Sequence, residues 1–266
     1  MKKTIAGLTF VLGMLLSLSA FASAVIESVA GDVKAGPTAV AAKPVAQGQR
    51  VQAGSTVVTG AKSAVILRFD DGQAVVLNDN AEFRVLAYSF SKAAPANDRF
   101  SFELLRGAMR SVTAALTNRN QKAYTLRTSA STIGIRGTDF MVAVVNPTYF
   151  SVLIGSIEAA NAAGTAVFGA GSTGFAATAS ALAVSIPATA LPASVAASFN
   201  QLAAITLGPA GASQAVQAAA GGVGGVGLGI AAAIAAVIAV TVADSDDEVL
   251  PAASGTTGTS GTTGTR

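Results

Sequence analysis

From residue 25 to about residue 177 the chain alternates apolar and polar positions, a pattern typical of short β-strands with one buried face. In Ser63–Phe69, Val65, Leu67 and Phe69 fall on one face of the predicted strand, and the residues between them fall on the other. Asp71-Gly72 interrupts the alternation, and Gln73–Leu77 resumes it. Because glycine accepts the positive φ of a tight turn, these residues predict a β-hairpin.

The same reasoning predicts a second hairpin towards the end of this region. Tyr149–Asn161 is predicted to be a strand, Ala163-Gly164 a turn and Thr165–Gly169 the returning strand. Many short strands separated by turns indicate a mainly β fold, of the sandwich or barrel-like class. We therefore predict one β domain at residues 25–177.

A weak internal repeat accompanies the strands. The order glycine, any residue, apolar, charged, small begins at Gly31, Gly107 and Gly155. One interpretation is a turn glycine that enters a strand at each place, and the alternative is coincidence in a short pattern with uneven spacing.

The content of charged residues falls sharply after Phe140, since Glu158 is the one charged residue from there to Ala243. An apolar periodicity of helical spacing predicts a helix at Pro192–Leu207, which Gly208-Pro209 would end. The Ala-rich segment 178–220 is therefore expected to be helical, with a further short helix at its end, Ser213–Ala220.

A glycine-rich apolar segment follows at residues 221–243. Gly221, Gly225 and Gly229 are four residues apart, so one face of a helix there would have no side chains. Two alternatives stay open: a helix that inserts into a membrane or self-associates, and a helix that packs on its own β domain. Residues 244–266 are acidic and then rich in Gly and Thr, which predicts a disordered tail.

The first 24 residues have the features of a secretory signal peptide. Lys2 and Lys3 precede an apolar stretch, Ile5–Leu16, and small residues then permit cleavage after Ala22 or after Ala24. The alternative is a retained membrane anchor, although the apolar stretch is short for a span. The sequence thus predicts export to the periplasm or cell envelope.

The sequence contains few of the residues and motifs on which enzymes rely. The chain has no histidine and no cysteine, and it lacks a Gly-x-Ser-x-Gly motif and a phosphate-binding loop, so we expect neither an enzyme nor a bound cofactor. Four carboxylates lie close together in sequence: Asp70, Asp71, Asp79 and Glu82. Turn chemistry is the main interpretation, and the alternatives are a weak calcium site and a glycosidase-like carboxylate pair.

Positive charge is concentrated in the middle of the chain. From 84 to 136 the basic residues are Arg84, Lys92, Arg99, Arg106, Arg110, Arg119, Lys122, Arg127 and Arg136, and the acidic ones are Asp98 and Glu103. These basic residues form either a solvated strand face or a surface for an anionic glycan, a lipid headgroup or an acidic protein. Because the sequence predicts export, we expect no nucleic-acid partner.

Two ordered groups of motifs resemble the FecR domain. The first group is residues 51–60 and 63–72, and the second is residues 104–107, 128–140 and 152–155. The element Ile133-Gly134-Ile135-Arg136-Gly137-Thr138 is the most specific part, and the resemblance extends roughly from Glu27 to Phe168. The motif residues, for which we expect structural roles, are Gly54, Thr59, Gly60, Asp71, Gly72, Gly107, Arg136, Gly137, Thr138 and Gly155.

The resemblance implies a FecR-like β-sandwich or double-stranded β-helix-like fold in an extracytoplasmic setting. The best-known members of that family relay an outer-membrane transport signal to a cytoplasmic sigma factor through an N-terminal arm and a span. Here the domain begins almost at the predicted cleavage site, so we do not expect that mechanism. For Arg136 we expect a structural role, capping carbonyls or pairing with Asp139 or Glu103, with a ligand contact as the alternative.

Two functional hypotheses follow. The first is a non-catalytic FecR-like binding or scaffold protein of the cell envelope, with an envelope protein, an anionic glycan or a lipid as partner and no nucleic acid. The second is a transmembrane signalling component related to sigma-factor regulators.

Overall fold

The computed structural model describes residues 23–113 and 120–208, and these contain fifteen β-strands and one α-helix. Residues 1–22 of the predicted signal peptide, the Ser213–Ala220 helix, the 221–243 helix and the tail lie outside the described residues, whereas Ser23 and Ala24 belong to the first strand. The strands are β1 Ser23–Ala30, β2 Val33–Gly36, β3 Lys43–Pro44, β4 Arg50–Gln52, β5 Thr56–Thr59, β6 Ala64–Phe69, β7 Ala74–Leu77, β8 Glu82–Ser89, β9 Arg99–Val112, β10 Tyr124–Arg127, β11 Thr132–Val144, β12 Thr148–Asn161, β13 Gly164–Gly169, β14 Thr173–Ala176 and β15 Val184–Ile186. The helix is α1, Ala193–Ala204, and short 3-10 turns occur at Pro95–Asn97, Gln121–Ala123 and Ala188–Ala190.

The strands form one hydrogen-bonded sheet that folds into two layers. The front layer has the order β3-β2-β5-β8-β9-β10-β11-β12-β13, and the back layer has the order β4-β1-β6-β7-β9-β11-β12-β14-β15. Neighbouring strands are antiparallel except for β9 and β10, which run parallel. The mainly β class predicted from the sequence is confirmed.

Three long strands belong to both layers. The first half of β9 pairs with β8 and β10, and its second half pairs with β7 and β11. In the same way β12 pairs with β13 through one half and with β14 through the other. Each long strand therefore has to bend where it passes from one layer to the next.

Glycines with positive φ stand at these bends. Gly107 in β9 has φ 83°, Gly137 in β11 has φ 63° and Gly155 in β12 has φ 74°. Gly31, with φ 75°, joins β1 in the back layer to β2 in the front layer. Positive φ and tight space explain the choice, because a Cβ on Gly107 would lie 2.5 Å from the Ala81 Cα.

These positions refine the interpretation of the repeat. Gly31 does precede a strand, but Gly107 and Gly155 lie inside continuous strands. The repeat marks the corners at which the sheet folds over, because a Cβ at each of these positions would be strained by the positive φ and would collide with a neighbouring residue.

The main core lies between the two layers and is rich in aromatic side chains. Phe69 of the back layer contacts Phe102 of the front layer, with ring centroids 5.2 Å apart, and Tyr88 at 4.9 Å. Phe83, Phe100, Phe102, Phe140 and Phe150 are each fully buried. The inward-facing aromatics thus supply much of the buried volume that holds the layers together.

Helix α1 adds a third layer on the outer side of the back layer. Its buried residues Val195, Phe199 and Leu202 occupy one face, as the sequence predicted. They pack against a second apolar cluster formed by Ala64, Ile66, Val76, Ala108, Met141 and Ala143. The helix is shorter than the predicted Pro192–Leu207 and ends at Ala204, where Arg110 binds its final carbonyls.

Two sequence predictions about strands compare closely with the structure. Asp70-Asp71-Gly72 connects β6 to β7, with Gly72 at φ 89°, so the hairpin is confirmed. The second hairpin, β12 to β13, is also present. The boundary at residue 177 is placed too early, because β15 pairs with β14 and extends the sheet to Ile186.

Candidate functional site

Five arginines lie on the outer side of the front layer, on four adjacent strands, and we call this surface the arginine face. The arginines are Arg84, Arg99, Arg106, Arg127 and Arg136. Four of them face outwards because the alternate residues of these strands face the core: Phe83 and Val85 in β8, Phe100 and Phe102 in β9, Tyr124 and Leu126 in β10, and Ile133 and Ile135 in β11. Arg106 reaches the same side through a register shift in β9, which pairs it with Glu82.

Three glutamates are interleaved with these arginines. Arg84 lies 3.3 Å from Glu103, and Arg106 lies 3.4 Å from Glu82. Glu82 also approaches Arg84, at 3.8 Å, so it bridges two cations. The glutamates hold part of the face in a fixed pattern of alternating charge.

Arg136 forms the third pair. Its Nε and Nη2 donate to Oε1 of Glu158 at 2.9 and 2.5 Å, and its side chain is 64% exposed. The expected partners were wrong: Asp139 binds Arg110 and Glu103 binds Arg84. Register explains this, since Gly134 and Glu158 are paired residues on β11 and β12, which places Glu158 diagonally beside Arg136.

Arg99 and Arg127 differ from the other three arginines. Both are exposed, and no described residue forms an ion pair or a side-chain hydrogen bond with either of them. Ser101 and Thr125, which are paired residues between them, have short side chains, so the middle of the face lacks long side chains. The face therefore presents two guanidinium groups whose donors are available to a partner.

The other basic residues of the segment do not join this face. Lys92 and Lys122 lie outside the strands, and Arg119 lies outside the described residues. Arg110 is on the opposite side of the sheet and holds Asp139 through two bonds, Nε–Oδ1 at 2.9 Å and Nη2–Oδ2 at 2.7 Å. The basic stretch of the sequence thus divides between the two sides of the sandwich.

Arg110 and Arg68 form a pair of clamps on the back layer that sequence reasoning missed. Nη1 of Arg110 donates to the carbonyls of Leu202 and Ile205, at 3.1 and 2.9 Å, at the C-terminal end of α1. Arg68 binds Glu27 at 2.6 Å and the carbonyl of Gly208 at 3.1 Å. Cations are well placed there because helix C-termini carry unpaired carbonyls and partial negative charge.

The four carboxylates that are close in sequence are not gathered in space. Asp70 and Asp71 lie at one end of β7, whereas Asp79 and Glu82 follow its other end. Asp79 bonds to Asn80, and Glu82 binds two arginines of the face. Across residues 23–113 and 120–208, no group of three or more acidic side chains could hold a metal ion. This arrangement favours turn and ion-pair roles.

Asp71 belongs instead to a buried polar cluster. Its Oδ1 accepts hydrogen bonds from the Tyr88 hydroxyl at 3.1 Å and from the backbone nitrogen of Gln73 at 3.2 Å. Burial raises the pKa of Asp71 to about 6, and these hydrogen bonds partly oppose the rise. Burial also raises the pKa of Tyr88, with the Asp71 charge as the next cause. Gln73 had no sequence signal, because a single glutamine beside a turn is ordinarily exposed.

Most of the remaining motif residues shape turns and corners rather than the arginine face. The Thr59 hydroxyl donates to the Asn78 carbonyl at 2.5 Å and accepts from the Ala81 amide at 2.8 Å. Thr138 and Thr113 bond to each other beside the Gly137 corner, with their hydroxyl oxygens 3.1 Å apart. Gly54 has φ 85°, and Gly60 donates its amide to the Asp32 carbonyl at 2.8 Å.

Comparison with known families assigns the central part of the chain. The family model described as FecR protein matches residues 55–158. This stretch is a FecR domain. It runs from β5 into β12 and includes every residue of the arginine face, while β1–β4 and β13–β15 complete the same sheet outside the matched range.

Two crystal structures of one protein from Parabacteroides distasonis ATCC 8503, described as a candidate anti-sigma factor, are also similar to the chain. Each shares 14% sequence identity and has a TM-score of 0.39, over 49% of this chain and 58% of that one. The chain therefore spans somewhat more than half the length of that protein. No curated protein matches the sequence at a significant level.

Within the described residues, no helix has both the length and the apolar character needed to cross a membrane. The segment 221–243, for which the sequence left membrane insertion open, lies outside them.

Proposed function

We propose that this chain is a non-catalytic, extracytoplasmic FecR-domain protein that binds an acidic protein segment on its arginine face. One observation supports this above others: the outer side of the back layer is covered by α1, while the arginine face carries Arg99 and Arg127 without partners among the described residues. The extracytoplasmic setting rests on the signal-peptide pattern of residues 1–24.

The chemistry of the face favours a carboxylate-bearing partner. A guanidinium group presents a planar fork of donors that fits a carboxylate in two parallel hydrogen bonds. The short side chains in the middle of the face, Ser101 and Thr125, let a partner backbone approach while its side chains reach the arginines. Exposed charges of this kind act mainly on association rate and specificity.

The interleaved glutamates favour a protein over a glycan or lipid surface. Glu82, Glu103 and Glu158 lie among the five arginines, and a uniform polyanion would meet repulsion at each of them. A protein segment with both acidic and basic side chains can match this alternation.

Affinity capture from envelope extracts tests the proposal. The exported chain serves as bait, beside a double variant, Arg99→Glu with Arg127→Glu, and a matched control, Lys43→Glu with Lys62→Glu, which makes the same change in net charge at exposed positions outside the face. We expect a protein that the unmodified chain and the control retain, that the face variant loses at least tenfold, and that weakens with added salt.

The result that would contradict the proposal is equal capture by all three proteins. Recovery of glycan or lipid alone, in an arginine-dependent manner, would also reject the acidic protein partner.

A further inference from the structure

We propose that the signal peptide is removed after Ala22, and that the new α-ammonium group of Ser23 forms an ion pair with Asp70. The sequence allows cleavage after Ala22 or after Ala24, because both sites have small residues at the required positions. The inference rests on the export part of the proposed function and on the contacts of the first described residues.

Ser23 is held through every polar atom it has. Its backbone nitrogen donates to Oδ2 of Asp70 at 2.7 Å, and its carbonyl accepts from the Asp70 amide at 3.2 Å. Its hydroxyl accepts from Nη1 of Arg50 at 2.5 Å. The residue is 1% exposed and pairs with Gln52 of β4, so it belongs to the folded domain.

Ala24 also belongs to the core. It is fully buried and pairs with Val51 on one side and Phe69 on the other. Cleavage after Ala24 would remove this residue together with Ser23. Asp70 would lose both of its backbone contacts at this edge, and β1 would lose two of its three pairs with β4.

Cleavage after Ala22 leaves all these contacts in place and strengthens one. Water adds across the peptide bond, so that Ala22 receives the carboxylate and Ser23 the amine, which is largely protonated near neutral pH. A neutral amide donor 2.7 Å from the Asp70 carboxylate thereby becomes a cationic donor. Charge-assisted hydrogen bonds are roughly twice as strong as neutral ones.

Asp70 would then stand between two cations. Nη1 of Arg50 lies 3.7 Å from Oδ1 of Asp70, on the other oxygen from the one that faces Ser23. Asp70 begins the hairpin between β6 and β7 that also carries Asp71 and Gly72. Processing would thus fasten the new N-terminus to the turn of the FecR domain.

The first test is N-terminal sequencing and intact mass of the protein recovered from the periplasm of an expressing bacterium. We expect Ser23 as the first residue. A first residue of Val25 would overturn this inference while leaving export standing, whereas a chain that keeps Met1 would remove export and the extracytoplasmic part of the proposed function as well.

The second test measures the ion pair in chains with defined starts. One chain begins at Ser23, and the other carries a short Gly-Ser extension that turns the Ser23 nitrogen into an amide. We expect the midpoint of thermal unfolding to be about 2–4 °C higher for the chain that begins at Ser23. The difference should vanish with Asp70→Asn and persist with Asp79→Asn, the matched control at the other end of β7.

Equal midpoints for the two chains would overturn the ion pair, and so would a difference that survives Asp70→Asn.

Discussion

At the scale of single residues, the most unusual group is the Asp71 carboxyl, which is 8% exposed between the layers. Oδ2 of Asp71 and both polar atoms of the Gln73 side chain have no hydrogen-bond partner among the described residues. The charged form is therefore poorly solvated, which raises the pKa of Asp71 above its ordinary value. Tyr88 bonds to this carboxyl directly, the charge of Asp70 also acts on Tyr88, and the charge of Asp71 acts on Tyr124.

Stability should depend on the protonation of Asp71. Since the folded-state pKa of about 6 exceeds the ordinary value of 3.8, the folded protein binds the extra proton between these pH values. The stabilisation that the folded protein gains from the protonated Asp71 carboxyl is fully present below about pH 4 and is lost as the pH rises through about 6. Asp71→Asn keeps an acceptor for Tyr88 and cannot ionise, so it should stabilise the protein by up to about 3 kcal/mol above pH 7.

Urea unfolding of both proteins from pH 4 to pH 8 checks this. The difference in unfolding free energy should be near zero at the acidic end and grow with pH. Parallel pH profiles would show that Asp71 ionises normally in the folded protein.

At the scale of elements, the folded-over sheet depends on its corners. A Cβ on Gly155 would overlap the carbonyl of Gly137, and the φ of Gly155 is 74°. Gly155→Ala should therefore cost about 2–4 kcal/mol of unfolding free energy, from the backbone conformation and the overlap together. Gly169→Ala is the control, because nothing lies within 4 Å of the added methyl and its φ is not in the left-handed region.

The comparison can be made by urea unfolding of the two alanine variants. A Gly155→Ala variant as stable as Gly169→Ala would mean that the β12 corner can relax.

The attachment of α1 to the back layer also belongs to the scale of elements. Arg110 and Asp139 are 13% and 9% exposed, and Arg110 also binds two carbonyls at the end of α1. Arg110→Met leaves Asp139 buried without its partner, which should cost about 3–5 kcal/mol. The exposed pair of Arg136 and Glu158 provides the contrast, since Arg136→Met should change stability by about 0–1 kcal/mol.

Hydrogen exchange separates a local effect from a global one. Compared with the unmodified protein, Arg110→Met should lose more hydrogen-exchange protection in the amides of α1 than in those of β6 and β7, because the helix loses its contacts with Arg110. Unchanged protection of α1 would place the role of Arg110 within the sheet alone.

At the scale of the whole molecule, the two outer sides of the sandwich differ in chemistry. Apolar residues of the back layer, among them Ile66 and Met141, receive α1. The front layer instead carries five arginines and three glutamates. The covered side contributes to stability, and the open side is the one on which we propose binding; the FecR domain at residues 55–158 contains the whole arginine face.

The sequence by itself determined what depends on near neighbours along the chain. Strand alternation predicted the hairpin at Asp71-Gly72, the strand at Tyr149–Asn161 and the buried face of α1, since each is set by local periodicity and turn chemistry. The motifs around Arg136 also predicted the FecR domain correctly.

Only the tertiary structure decided what depends on residues far apart. The bend of β9 at Gly107 separated Arg110 from Arg99 and Arg127, and strand pairing placed Arg136 beside Glu158 and Ser23 beside Asp70. The fold also enclosed Asp71 with Tyr88, from another strand, which a local pattern of turn residues could not reveal. The physical reason is that the pairing of strands far apart in sequence is decided by the packing of two layers over one core, which local sequence patterns do not specify.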